Sequence, residues 1–80
     1  MRAQEAVSRR ILDLCEKNDM KVNRLCAICG ITQSTLQNII SGRSNTTTIA
    51  TIQKVCDGLE IELPDFFDSE LFRGLEQEIQ

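Results

Sequence analysis

The sequence predicts an all-α fold: a bundle of five helices followed by a short C-terminal amphipathic helix. Apolar residues recur at helical rather than alternating spacing along most of the chain. Aromatic residues, which favour strands, are limited to three Phe, with no Tyr or Trp. A chain of 80 residues has material for one modest core. We therefore expect one helical domain over residues 1–68 and an amphipathic tail over residues 69–80.

The first two helices are predicted from their apolar spacing. A stripe at offsets 0, 4, 8, 11 and 12 predicts a first helix from about residue 3 to residue 17. The stripe consists of Ala3, Val7, Ile11, Leu14 and Cys15. Asn18 and Asp19 favour the end of this helix. A second helix is expected from Val22 to Cys29, because Gly30 can adopt the left-handed conformation that ends it.

A third helix is predicted over residues 33–41, with Thr32 as its N-cap and Gly42 after its last residue. Three apolar residues at i, i+3 and i+4 should face the core. They are Leu36, Ile39 and Ile40. The opposite face is uncharged and rich in amide and hydroxyl groups. It consists of Gln33, Ser34, Gln37, Asn38 and Ser41.

The fourth and fifth helices are predicted from their caps. After a polar loop, Thr47 or Thr48 can cap a fourth helix. Its inward residues should be Ile49, Ile52, Val55, Cys56 and Leu59. Pro64 suits the first position of a very short fifth helix, residues 64–67. This helix would place one or both of its Phe rings under the bundle.

The C-terminal helix is predicted from an apolar stripe beyond Ser69. The stripe consists of Leu71, Phe72, Leu75 and Ile79. Gly74 lowers the helix propensity of this segment. A stripe of this size should be covered. Two arrangements stay open: a two-fold dimer contact, or packing on the first helix of the same chain.

Charge is distributed unevenly along the chain. The net charge is −3, but residues 1–56 carry eight basic and four acidic side chains, a charge of +4. Residues 57–80 carry one basic and eight acidic side chains, a charge of −7. Nucleic-acid phosphate could therefore lie only against the first part, and we expect the acidic end to stay remote from it.

The composition argues against an enzyme, a metal site and a membrane protein. The chain has no His, no Gly-rich phosphate loop, no apolar run of 18 residues and no signal peptide, which favours a cytoplasmic protein without membrane contact. Cys26 and Cys29 form a C-x-x-C motif, and Cys15 and Cys56 bring the thiols to four. A second such motif is missing and each thiol falls on an inward face, so we expect reduced, metal-free core cysteines and no cofactor. Redox sensing stays an open alternative.

Residues 22–41 meet the requirements of a helix-turn-helix. Two helices that cross steeply need a small residue where they touch, here Cys26, and a turn residue that tolerates positive φ, here Gly30. The exposed amide and hydroxyl groups of the following helix suit base edges in DNA, where Gln and Asn can pair bidentately with adenine. From spacing alone, an ordinary polar helix face is equally consistent with these residues.

The order of motifs resembles that of the phage-repressor and Cro-like regulators, the XRE family, over about residues 7–67. The resemblance is carried by the run from Leu25 to Leu36, then by Gly42, Leu59-Glu60-Ile61 and Phe66-Phe67. It implies the five-helix lambda-repressor-like fold, with the third helix in the major groove of DNA. The base readers that it implies are Gln33, Ser34, Gln37 and Asn38. The phosphate contacts that it implies are Arg43 and its neighbours Ser44, Asn45 and Thr46. Further phosphate contacts are expected from Lys21, Arg24 and Thr32, at the starts of the second and third helices.

The sequence departs from the family pattern in two places that bear on the site. Lys21 and Val22 stand where the family usually has a polar cap and a phosphate-binding Gln, so Lys21 and Arg24 are expected to take over that contact. Family members often bury an Arg of the first helix against a Glu of the third. The matching residues here are Cys15 and Ile40, which predicts an apolar contact without a buried charge.

The sequence therefore predicts a sequence-specific, DNA-binding transcriptional regulator that acts as a homodimer on double-stranded DNA. Residues 33–41 would read the major groove, and no small-molecule effector is indicated. The alternative is a protein-interaction module of antitoxin or anti-regulator type, built on the same fold. The overall acidity of the chain favours this alternative.

Overall fold

Five α-helices and one 3-10 turn form the secondary structure. The computed structural model describes residues 1–43 and 46–79. The elements are α1 (Ala3–Lys17), α2 (Val22–Cys29), α3 (Gln33–Ser41), α4 (Ile49–Leu59), α5 (Leu63–Phe67) and a 3-10 turn at Glu70–Phe72. Within these ranges no strand occurs, and no helix is long and apolar enough to cross a membrane. The predicted all-α, five-helix fold is confirmed, with the predicted bounds of α1, α2 and α3.

Threonine hydroxyl groups cap the N-termini of α3 and α4. Thr32 Oγ1 accepts a hydrogen bond from the Thr35 backbone N–H at 3.2 Å. Thr48 Oγ1 accepts one from the Thr51 backbone N–H at 3.2 Å. Of the two candidates predicted for α4, the cap is therefore Thr48. Each cap satisfies an amide that the helix leaves unpaired, and its loss typically costs about 1 kcal/mol.

The helices share one apolar core. α2 lies against α4, α1 against α3, and α5 against α4. The largest fully buried side chains are Phe66, Ile11, Leu25, Leu36, Val55 and Cys56. Every helix contributes at least one of them, so the core holds all five helices together. Ile49, which was predicted to face inward, is instead 60% exposed, because it is the first residue of α4 and lies at the edge of the bundle.

Gly58 allows the close approach of α4 to α2. A Cβ atom at this position would overlap the Cys29 Sγ atom and lie 3.4 Å from the Cys29 Cα atom. Gly costs about 1 kcal/mol relative to Ala inside a helix. The packing of α4 on α2 explains why a residue with such poor helix propensity stands near the end of α4.

All four cysteines are free thiols buried in the core. Burial raises the pKa of the Cys29 thiol from 9.0 to about 11, and the neighbouring thiols of Cys26 and Cys15 add to the increase. Burial also raises the pKa of the Cys15 and Cys56 thiols. A raised pKa keeps a thiol protonated and poorly nucleophilic at neutral pH. Among the described residues, no group of three or more His, Cys, Asp or Glu side chains could hold a metal ion.

We expect the free energy of unfolding to fall between about pH 9 and pH 11. In this window the Cys29 thiol keeps its proton in the folded state, where its pKa is about 11, and loses it in the unfolded state, where its pKa is near 9.0. The folded state then binds more protons, so stability decreases as pH rises, by at most about 1.4 kcal/mol per pH unit for each thiol. Urea unfolding at several pH values measures this slope. Cys29→Ala should make the slope shallower, and an unchanged slope in that variant would contradict the assignment.

Arg10, on α1, is buried and binds the end of α5. It is 7% exposed. Its Nε donates to the Phe66 carbonyl at 2.7 Å, and its Nη2 donates to the Asp65 carbonyl at 2.9 Å. Its Nη1 forms an ion pair with Asp13 Oδ2 at 2.8 Å. The two carbonyls belong to the last turn of α5, where a helix has no internal donor for them.

This buried cation was not predicted from the sequence. The prediction for Cys15 and Ile40 was an apolar contact that leaves no charge buried at those two positions. Cys15 is indeed buried and Ile40 is half-buried, but the buried charge of α1 lies at Arg10. The signal was in the spacing: Arg10 comes three residues after Val7 and four before Leu14, so it falls on the inward face of the helix.

The helix α5 begins one residue earlier than predicted. Its first residue is Leu63, so Pro64 occupies the second position. The Glu62 backbone N–H donates to Asp65 Oδ2 at 3.0 Å and so fixes the start of the helix. Phe66 is fully buried, whereas Phe67 is 38% exposed. One of the two rings therefore closes the core, and the other lies at its rim.

The C-terminal segment, residues 69–79, folds back on its own chain. Only the 3-10 turn Glu70–Phe72 is helical, so the amphipathic helix predicted for this segment does not continue beyond one turn. Gly74 has a φ of 66°, a left-handed conformation that interrupts a helix. The 3-10 turn packs against α1, and the Glu76 backbone N–H donates to the Met1 carbonyl at 3.0 Å. Of the two predicted arrangements, this is packing on the first helix of the same chain.

Candidate nucleic-acid interface

The helices α2 and α3 form a helix-turn-helix. The turn begins at Gly30, whose φ of 69° is the left-handed conformation expected there. The backbone N–H groups of Gly30 and Ile31 both donate to the Cys26 carbonyl, at 3.1 and 3.3 Å. The side chain of Cys26 is buried in the same core as Leu36, on the inner face of α3. The inner face of α3 is thus anchored, and its outer face lies in solvent.

The outer face of α3 carries polar groups that are free to bind a partner. The four predicted base readers are all exposed: Gln33, Ser34, Gln37 and Asn38. Within the described residues, the side-chain amides of Gln33, Gln37 and Asn38 form no hydrogen bond with the rest of the chain. Each amide therefore keeps its donors and its acceptor available.

Three cations predicted to contact phosphate flank the helix-turn-helix. Lys21 holds the N-cap position of α2 and Arg24 lies in the first turn of that helix. Arg43 follows Gly42, the residue that ends α3. All three cations are exposed, and none forms an ion pair with a side chain in residues 1–43 or 46–79. They can therefore attract an anion without first breaking a contact within the chain.

The uncharged residues predicted to contact phosphate differ in their availability. The Thr32 hydroxyl accepts a hydrogen bond as the cap of α3 and donates one to Thr35 Oγ1 at 2.8 Å. Thr32 is exposed, but its hydroxyl is engaged in capping. Thr46 is also exposed. Ser44 and Asn45 lie outside the described residues.

A cleft of about 340 Å³ separates α3 from the start of α4. It is lined by Thr35, Asn38, Ile39, Thr46, Thr47, Thr48 and Thr51. Thr35 is exposed in this cleft, but it was not predicted as a site residue. The signal in the sequence was its position next to Ser34 in a polar helix. Its hydroxyl accepts the hydrogen bond from Thr32 Oγ1, so its orientation is fixed by the cap of α3.

Two hydrogen bonds that the sequence did not predict fix α1 beside this surface. Ser8 Oγ donates to the Ile39 carbonyl of α3 at 2.6 Å. Gln4 Nε2 donates to Thr47 Oγ1, in the loop before α4, at 2.6 Å. The N-terminal half of α1 therefore lies on the same side of the molecule as the end of α3 and Thr47.

A second cleft, of about 840 Å³, lies between α1, the end of α3 and the C-terminal segment. Its walls include Arg2, Ser41, Gly42, Glu76 and Glu78. Arg2 Nη1 forms an ion pair with Glu78 Oε2 at 2.8 Å. Two carboxylates of the acidic end thus line the same cleft as the end of α3. The C-terminal segment reaches this cleft because it packs on α1.

Comparisons with known proteins agree with the helix-turn-helix fold. The family model of the Cro/C1-type HTH DNA-binding domain matches residues 10–70. The crystal structure of the prophage Lp1 protein 11 is similar, with a TM-score of 0.81 and 36% sequence identity over 94% of this chain and 100% of that chain. No curated protein sequence matches the chain significantly. The matched family is one of DNA-binding domains, not of enzymes. The chain therefore belongs to the Cro/C1-type helix-turn-helix family of DNA-binding domains.

Proposed function

We propose that the protein is a sequence-specific regulator of transcription that binds double-stranded DNA as a homodimer in the cytoplasm. The outer face of α3 reads bases in the major groove. The observation that carries this proposal is the set of free side-chain amides on α3, between exposed cations at the start of α2 and after the end of α3. Uncharged side chains read bases and cations bind phosphate, which is the usual division of roles in DNA recognition.

The base readers are proposed to be Gln33, Ser34, Gln37 and Asn38. The amide of Gln or Asn pairs bidentately with the N6 and N7 atoms of adenine, so the operator should contain A·T pairs under α3. The Ser34 hydroxyl is short and can donate or accept, which suits either base of a pair. A dimer would place two copies of α3 about one helical turn of DNA apart, so the operator should contain two half-sites at that spacing.

The phosphate contacts are proposed to lie at both ends of the helix-turn-helix. Lys21 and Arg24 contact one strand near the start of α2, and Arg43 contacts the backbone beyond α3. The other residues of this group are Thr32, Ser44, Asn45 and Thr46. These contacts supply affinity that does not depend on sequence and that decreases with salt, because binding releases the counterions of DNA.

Selection from a random duplex library at low salt tests the proposal. Gln33→Ala or Asn38→Ala should cost about 1–3 kcal/mol on the selected site and relax specificity there, since each removes a base contact. Arg43→Ala should weaken binding to all sequences and flatten the slope of log affinity against log salt by about 0.9 per lost phosphate contact on each protomer. Lys54→Ala is the matched control, because it removes one exposed cation of α4 outside the proposed surface. Its effect should be less than about twofold.

The alternative function is a protein-interaction module of antitoxin or anti-regulator type. The net charge of −3 favours it, since most partners of nucleic acid are basic. If the selection enriches no sequence and Arg43→Ala leaves the residual binding unchanged, this alternative replaces the regulator. Sedimentation of the free protein tests the homodimer separately.

A further inference from the structure

We propose that the C-terminal segment limits the affinity for DNA through its carboxylates, as an autoinhibitory electrostatic contact. Glu76 and Glu78 repel the phosphates that approach the end of α3, and Glu78 occupies Arg2, which would otherwise bind phosphate. This inference rests on the proposed function, because it concerns the regulation of the same DNA-binding surface.

The C-terminal segment is attached to the body of the molecule at two points. At its start, the Phe72 ring lies 6.0 Å from the ring of buried Phe66 and 4.9 Å from that of Phe67. Four residues later, the Glu76 backbone N–H donates to the Met1 carbonyl at 3.0 Å. Since residues 72 and 76 are both held, the carboxylates of Glu76 and of Glu78, two residues further on, are confined to one side of the bundle.

That side is the one that carries the end of α3. Glu76 and Glu78 share their cleft with Ser41 and Gly42, which directly precede the proposed phosphate-binding Arg43. The ion pair of Glu78 with Arg2, at 2.8 Å, keeps the Glu78 carboxylate in this cleft. The hydrogen bond from Ser8 Oγ to the Ile39 carbonyl, at 2.6 Å, fixes α1, and with it Arg2, next to α3. The carboxylates thus line a cleft that the end of α3 also lines.

Both carboxylates form ion pairs with exposed cations, Glu76 with the Met1 ammonium group at 3.6 Å and Glu78 with Arg2 at 2.8 Å, and so keep these cations from binding phosphate. Charges separated by less than the Debye length, about 8 Å at physiological salt, interact without complete screening. The carbonyl end of α3 already carries the negative end of the helix dipole. The carboxylates that line the same cleft add to this negative potential. The pair of Arg2 with Glu78 is exposed, so it contributes little stability, and phosphate can compete with Glu78 for Arg2 once that carboxylate is neutralised.

The test compares two full-length variants that both change the net charge by two. The first carries Glu76→Gln and Glu78→Gln. The matched control carries Asp57→Asn and Glu60→Gln, both exposed and at the far end of α4. An α-helix advances about 1.5 Å per residue, so these control positions lie more than about 12 Å from Thr48, the N-cap of α4. It is this N-cap end of α4 that lies near the proposed interface. Thermal unfolding of each variant checks that it is folded.

Affinity is measured on the selected duplex and on a random duplex, from about 50 to 200 mM salt. The first variant should bind both duplexes about three- to tenfold more tightly at the lowest salt, and its log–log salt slope should steepen by about 0.9 on each protomer as Arg2 gains a phosphate contact. The control should change affinity by less than about twofold. Adding Arg2→Gln to the first variant should remove the increase in slope, while Arg2→Gln alone should leave the wild-type slope unchanged.

Three outcomes overturn the inference in distinguishable ways. Equal gains in the two double variants would show that net charge, and not the position of the carboxylates, sets the affinity. Unchanged binding of the first variant, with a wild type that binds its selected site, would remove the role of the C-terminal segment and leave the proposed function intact. Absence of DNA binding by every variant would overturn the proposed function, and the inference with it.

Discussion

Arg10→Met should lower the free energy of unfolding by about 3–5 kcal/mol, because it removes two hydrogen bonds from a buried cation, each of which contributes about 1.5–3 kcal/mol. Methionine fills much of the same volume but donates no hydrogen bond. The carbonyls of Asp65 and Phe66, which accept from Arg10 at 2.9 and 2.7 Å, would then lose their donor at the end of α5. Asp13 would keep its second partner, Lys17 at 3.3 Å, so most of the loss should arise at α5. Urea unfolding measures the change.

The neighbouring residue provides the matched control. Arg9 is exposed, and its ion pair with Glu5 at 3.4 Å lies at the surface, so Arg9→Met should change stability by no more than about 0.5 kcal/mol. Arg10→Lys should be intermediate, because an ammonium group cannot bind two carbonyls with the fork of a guanidinium. If the two methionine variants lost the same stability, Arg10 would have no special role in holding α5.

Phe66→Ala should cost about 3–5 kcal/mol, the usual cost of removing a buried aromatic ring. Phe66 is fully buried, and its ring contacts those of Phe67 at 5.1 Å and Phe72 at 6.0 Å between centroids. A domain of this size is stable by about 4–12 kcal/mol, so this variant should be close to unfolding. Phe66→Leu, which leaves a smaller cavity, should cost less and keep the fold measurable. Both changes are measured by thermal and urea unfolding.

The adjacent ring again provides the control. Phe67 is 38% exposed, so Phe67→Ala should cost about 1 kcal/mol, mostly from its edge-to-face contacts with the two other rings. Equal costs at the two positions would contradict the assignment of Phe66 as the residue that closes the core. Because Arg10 binds the Phe66 carbonyl, the effects of changing both residues together should not be additive.

The candidate interface depended largely on signals that lie close together in the sequence. The capping Thr32, the apolar residues Leu36 and Ile39 and the left-handed Gly42 all act within α3 or one residue from it. They determine which face of that helix is buried, and so the exposure of Gln33 and Asn38 was predictable. Which base each side chain contacts depends on where the duplex lies against α3. The position of the duplex remains a proposal.

The contacts that position the interface were not predictable in the same way. Ser8 and Gln4 are ordinary polar residues in the sequence of α1, and their partners, Ile39 and Thr47, are more than 30 residues away along the chain. A hydrogen bond between such residues depends on how two helices pack, and no local pattern encodes it. The same holds for Glu78, whose ion pair with Arg2 spans almost the whole chain.

The sequence by itself determined the helices α1 to α3 and the polar outer face of α3, because apolar period, caps and left-handed glycines act within a few residues of each other. Only the tertiary structure decided that Arg10 is buried. A cation can lie within the apolar stripe of α1 because the free carbonyls at the end of α5 accept its hydrogen bonds. It also decided the path of the C-terminal segment. A short apolar stripe does not specify its own partner, and here packing on α1 replaces a helix and brings two carboxylates into a cleft that the end of α3 also lines.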